Sequence, residues 1–137
     1  MTYIPAALRR EVAERAHFCC EYCRMRNEDK GSPFAIDHII SEKHGGETVL
    51  ENLCYACFRC NGYKGSDIAS IDPDDPEQLT WLFSPRKHIW TEHFRPDGVR
   101  FIPLTKEGWV TVRLLRLNDA RIMAERRVLM ALGVFPC

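Results

Sequence analysis

Residues 36–65 read IDHIISEKHGGETVLENLCYACFRCNGYKG, and the spacing of polar and thiol side chains within this stretch decides the fold. Asp37 and His38 interrupt an apolar run, Phe34 to Ile40, that reads as a short strand. Gly45-Gly46 places a wide loop over Ser41 to Glu51. Leu53 to Ala56 reads as a second short strand, and Phe58 to Lys64 as a short helix entered from the turn Cys57-x-x-Cys60. A second such turn, Cys20-x-x-Cys23, lies upstream, so the chain between the two turns can fold back and bring four sulfurs together.

Thiolates are soft donors that suit tetrahedral zinc, and each Cys-x-x-Cys turn aims two sulfurs at one ion. Cys20, Cys23, Cys57 and Cys60 are therefore the expected ligands of a structural zinc. Cys54-x-x-Cys57 is an alternative pairing, and Cys19 neighbours Cys20; the choice of Cys57 and Cys60 rests on Asn61 following directly. Cys19, Cys54 and Cys137 are read as small buried hydrophobes or, for Cys137, a terminal thiol.

Working outward, the chain has 137 residues, enough for a single domain with its own core, and this reading assigns residues 18–66 to a zinc-clamped core and 67–137 to a C-terminal extension. Hydrophobic residues make up 45% and charged residues 28%, and no apolar run approaches the roughly 20 residues of a membrane span. The N-terminus, MTYIPAALRREVAER, lacks the apolar core of a signal peptide, and the expected location is a reducing cytoplasm, where paired cysteines ligate metal rather than form disulfides. Nineteen basic residues balance nineteen acidic ones. That balance excludes a global field for nucleic acid and leaves only local patches to contact it.

A first helix is expected from Pro5 to about His17, with Leu8, Val12 and Ala16 on one stripe, and a polar loop from Arg24 to Pro33. Beyond Gly65, the acidic segment Asp72 to Glu77 predicts a turn, and Leu79 to Phe83 with Gly98 to Pro103 predict strands of one small antiparallel sheet. Trp81, Phe83, Trp90 and Phe94 are expected to pack against two final helices, from Thr105 to Leu115 and from Asn118 to Leu132. Asn118 is the predicted N-cap and Gly133 the stop. The expected class is α+β.

Asp37-His38-Ile39, Gly45-Gly46, Asn52-Leu53 and Cys57-x-x-Cys60-Asn61-x-x-Lys64-Gly65 resemble, in order and spacing, the HNH endonuclease motif in its zinc-stabilised form. That resemblance implies a ββα-metal (His-Me finger) core, an elaborated C-terminal half, and hydrolysis of DNA phosphodiesters with one divalent ion, magnesium or manganese. It further implies that Asn61 is the second ligand of that ion and that Asn52 braces the His-bearing strand.

The chemistry assigns roles alongside it. Phosphodiester hydrolysis needs an activated water and neutralisation of charge on the phosphoryl oxygens. His38 is the candidate general base and Asp37 the hard oxygen ligand. Successive strand residues face opposite ways, so Asp37 and His38 need a bulge, a twist or an ion at the strand end to meet at one phosphate. Lys64, one turn from Asn61, is either a phosphate contact or a solvated lysine.

Blander readings stand beside these. His44 is more simply a solvated loop residue, His17 a flank of the knuckle, and His88 and His93 lack further ligands for a metal site. Arg113, Arg116, Arg121, Arg126 and Arg127 either follow a phosphate backbone or form a solvated helical face. The alternative to a nuclease is a zinc-dependent nucleic-acid-binding or protein-interaction module with a vestigial motif. Oligomeric state, DNA specificity and pathway are not legible in the chain.

Overall fold

The computed structural model describes residues 3–28 and 34–137, so the 29–33 part of the expected polar loop lies outside the described residues. Helix α1 (Ala6–Arg15) is followed by strand β1 (Ala35–His38), strand β2 (Leu53–Ala56) and helix α2 (Phe58–Lys64). The β1–β2 connection carries single turns of 3-10 helix at Glu42–His44 and Leu50–Asn52.

β1 and β2 pair antiparallel, with Asp37 opposite Cys54 and His38 opposite Leu53. Both faces of this ribbon are covered. Leu53 and Tyr55 point to α1 and pack with Val12 and Ala13, with Leu8 and Ala16 at the edge, as the helical stripe predicts. Cys54 and Ala56 alternate to the other face and join the cysteine turns in a larger core.

The C-terminal half is two hairpins and three helices. β3 (Ala69–Asp72) pairs with β4 (Asp75–Trp81), and β5 (Phe94–Asp97) with β6 (Arg100–Pro103). The predicted single sheet is therefore corrected. Each of its strands finds its partner across a tight local turn instead, and the acidic segment supplies the first of those turns. Trp81 is also corrected: it is 62% exposed at the end of β4, on the same face as Leu79 and Ile71, while Phe83, Trp90 and Phe94 are buried as expected. α3 (Trp90–His93) places Trp90 Nε1 on the Tyr22 carbonyl at 2.8 Å, joining the C-terminal half to the first cysteine turn.

α4 (Lys106–Leu114) is capped by Thr105, whose hydroxyl accepts from the Gly108 amide. α5 (Ala120–Ala131) has Asp119, not Asn118, at its N-cap. Asn118 is drawn away because its amide hydrogen-bonds both the Phe101 N–H and carbonyl, stitching β6 to the α4–α5 turn. Gly133 ends α5 at φ 73°, as predicted. Among the described residues, no helix is long and apolar enough to cross a membrane.

Cys19 and Cys137 form a disulfide with a Cα–Cα distance of 6.0 Å, which corrects their reading as free thiols. The reason is long-range: the Cys137 amide donates to the Arg24 carbonyl and Cys19 bridges Arg26, so the tail lies along the first cysteine turn. Cys54 is then the one cysteine outside both the cluster and the disulfide, and it is fully buried.

Candidate metal centre and catalytic loop

The two cysteine turns have the same local geometry. In each, the amide of the second cysteine donates to the sulfur of the first at 3.5 Å, Cys23 to Cys20 and Cys60 to Cys57. In the second turn this bond also caps α2. The four sulfurs lie within 4.8 Å of one another, and all four residues are buried. Zinc–sulfur bonds of about 2.3 Å in a tetrahedron require sulfurs about 3.8 Å apart. Cys23 and Cys57 are 3.7 Å apart, so the donor set fits zinc in size and in chemistry. Burial pushes the Cys20 thiol well above its ordinary range, and hydrogen bonding with its neighbours pushes Cys60 up, whereas Cys57 accepts from all three and is held far down. Four crowded sulfurs competing for protons are relieved by one dication.

Asp37 and His38 part company. The β1–β2 ladder runs in regular register without a bulge, so the two side chains leave opposite faces. Asp37 turns inward, where its carboxylate meets Lys64 Nζ at 3.0 Å and the Cys54 thiol at 3.8 Å. Burial raises the Asp37 carboxyl above its ordinary range, and the Lys64 ammonium pulls it partly back. Lys64 is only 2% exposed and also donates to the His38 carbonyl at 3.1 Å. A solvated lysine does not describe it; the buried carboxylate draws the ammonium into the core.

Replacing Lys64 with Met should therefore destabilise the fold by about 3–5 kcal/mol, because it leaves a buried carboxylate unpaired. The variant's Asp37 holds its proton more tightly folded than unfolded. The loss should accordingly be smallest near pH 4, about where a free aspartate titrates, and grow as pH rises toward neutrality. Urea unfolding at several pH values, without added divalent ion, reads this directly.

His38 ends β1 and faces the loop. Its Nε2 lies 2.9 Å from the Thr48 hydroxyl and 3.7 Å from a Glu42 carboxylate oxygen. Sequence reasoning missed both partners, since neither residue type nor spacing marks a loop threonine or glutamate as a neighbour of the strand end. Asn52 holds that loop: it accepts from the Ile40 amide and donates to the Ile40 and Glu47 carbonyls at 2.8–2.9 Å. Asn61 lies on α2 one turn before Lys64, half-buried. His44 is exposed, in line with its bland reading.

Gly46 makes this arrangement possible. A Cβ there would stand 1.7 Å from the Ile40 carbonyl oxygen and 2.8 Å from Asn52 Nδ2, whereas one at Gly45 would meet open space, though at φ +86°. Gly46→Ala should cost about 3 kcal/mol by overpacking, against about 1–2 kcal/mol of backbone strain for Gly45→Ala. Thermal melts of the two variants compare these costs.

Among the described residues, the four cysteines are the only group of three or more His, Cys, Asp or Glu side chains placed to hold an ion. The His88 and His93 rings lie 4.7 Å apart and tilted at 51°, but His88 Nδ1 accepts from the Ser84 amide and His93 Nδ1 meets the Thr105 hydroxyl. They are structural contacts.

Residues 20–67 match the family model of the HNH endonuclease, from the first cysteine of the cluster to just past the end of α2. No curated protein and no solved structure matches the chain.

Proposed function

We propose that the chain, whose residues 20–67 match the HNH endonuclease family model, hydrolyses DNA phosphodiesters, with His38 as general base on water and one magnesium or manganese ion held by Asp37 and Asn61. In this reading β1, β2 and α2 are the ββα-metal core, the four-cysteine zinc is structural, and the scissile phosphate sits at the end of β1, because Asp37 and His38 leave opposite faces of the strand and can meet only there. The observation that carries the reading is the setting of His38. Thr48 and Glu42 both lie at Nε2, so an Nε2–H tautomer is favoured, which leaves the Nδ1 lone pair to take a proton from water.

The divalent ion would supply charge neutralisation at the phosphoryl oxygens. Asp37 contributes an oxygen ligand and Asn61 an amide oxygen, with waters and substrate oxygens completing a magnesium shell. Lys64 ties the Asp37 carboxylate to α2, the helix that also carries Asn61. Asn52 keeps the His38 strand end and its loop in one arrangement.

A single observation favours the binding-module alternative: the Asp37 carboxylate is satisfied by Lys64 and needs no metal to be stable. Plasmid relaxation separates the two. The nuclease reading expects supercoiled DNA to be nicked with magnesium or manganese, and nicking to be lost in Asp37→Ala and Asn61→Ala proteins that retain zinc. DNA that stays intact across metals and substrates, while still binding the protein, supports the alternative.

A further inference from the structure

Two cations are fully buried among the described residues, Lys64 and Arg126. Lys64 has Asp37. The partly buried Arg59 and Arg86 have Glu125 and Glu21. Arg126 is 1% exposed and has no carboxylate partner: one nitrogen donates to the Val99 carbonyl at 2.9 Å, the guanidinium lies 3.9 Å over the Phe101 ring, and its other terminal nitrogen has no hydrogen-bond partner. A buried charge without a counter-charge costs several kcal/mol and is not retained without cause. Arginine does not escape by losing its proton.

The compensating charge is in the same core. Phe101 and Phe135, the rings on which Arg126 rests, belong to one buried cluster with Cys20, Cys23, Cys57 and Cys60. Ile122, one turn before Arg126 on α5, lines a small cavity with Cys23, Cys60 and Arg59. Arg59, beside Cys60, pairs with Glu125 of α5. The face of α5 that carries Arg126 is thus turned to the cysteine turns. Burial lowers the Arg126 guanidinium from its ordinary value, and Cys23, Cys60 and Cys57 are the groups that pull it back up.

Four thiolates around one zinc carry a net charge of minus two, and the geometry points to Arg126 as the buried counter-cation of that tetrathiolate centre. Metal loading then docks α5: with zinc bound, Arg126 faces a dianion, and without it the helix presents an uncompensated charge to an apolar core. The C-terminal half becomes part of the zinc site's electrostatics although it contributes no ligand. The inference stands on the fit of the cysteines to zinc and is independent of nuclease activity.

The test is zinc affinity by competition with a chromophoric chelator, measured for wild type, Arg126→Met, Arg126→Lys and Phe101→Leu. Arg126→Met should bind zinc at least tenfold more weakly, Arg126→Lys within about threefold of wild type, and Phe101→Leu, which disturbs packing but keeps the charge, close to wild type. Should Arg126→Met fail to fold in excess zinc while Arg126→Lys and Phe101→Leu fold, the charge is still the discriminating property and the inference holds. Equal zinc affinity in Arg126→Met and wild type would overturn it. Equal losses in the Met and Lys variants, or failure of both to fold, would also overturn it, because the guanidinium would then act by shape and hydrogen bonding.

Discussion

Stripping zinc from the four-cysteine centre, by chelation or by Cys57→Ser, is expected to abolish the cooperative unfolding transition of the protein. Structural zinc in small domains contributes about 10–16 kcal/mol of apparent binding energy, as much as the whole stability of a typical domain, about 5–15 kcal/mol. Here the loss is amplified by position. The cysteines are not on a peripheral finger but in the centre of the larger core, sharing it with Phe83, Trp90, Phe94, Phe101 and Phe135. Cys57 also caps α2, a role serine can keep, so the Cys57→Ser variant isolates the loss of a thiolate ligand. Wild-type protein should contain one zinc per chain by native mass spectrometry. The apo form should lose the near-ultraviolet circular dichroism of the buried aromatics while keeping part of its helical signal. A metal-free protein that melts at the wild-type temperature with the same enthalpy would rule out this account.

His38→Ala is expected to lower metal-dependent nicking by about 10²–10⁴-fold, the range in which a positioned general base contributes, and to leave zinc content and melting behaviour nearly intact. The separation is expected because His38 stands at the end of β1 with its ring nitrogen at the Thr48 hydroxyl, and belongs neither to the cysteine turns nor to the buried Lys64–Asp37 pair. Thr48→Val should reduce activity less, since it removes orientation and not the base. Single-turnover nicking at saturating magnesium reads both. Undiminished cleavage by His38→Ala would move the base elsewhere.

Parts of this structure are legible in the chain for identifiable reasons. The bounds of β2 and α2 can be read to the residue because Cys57-x-x-Cys60 punctuates one apolar run and opens the next, and metal geometry permits little slippage there. Asn52 is legible only through resemblance, since its bonds go to backbone groups of Ile40 and Glu47, which no side-chain pattern encodes. The Lys64–Asp37 pair escapes because spacing places a lysine on a helical face without saying whether that face is wet. Arg126 escapes for the same reason, among arginines whose companions Arg113, Arg116, Arg121 and Arg127 are indeed exposed. The Cys19–Cys137 link joins near-opposite ends of the chain, and nothing local announces it.

The two-faced ribbon of β1 and β2 makes strand alternation act as a reading frame for chemistry. One residue inserted ahead of Asp37 within β1 would put Asp37 in the place of His38, beside Thr48 and Glu42, and carry His38 past the strand end onto the opposite face. Both Cys-x-x-Cys turns would be intact, yet a carboxylate would stand where the base belongs. The loop between Ile40 and Asn52 is a different kind of text. Its length can drift so long as Asn52 still finds the Ile40 backbone, whereas the four residues of β1 permit no frameshift.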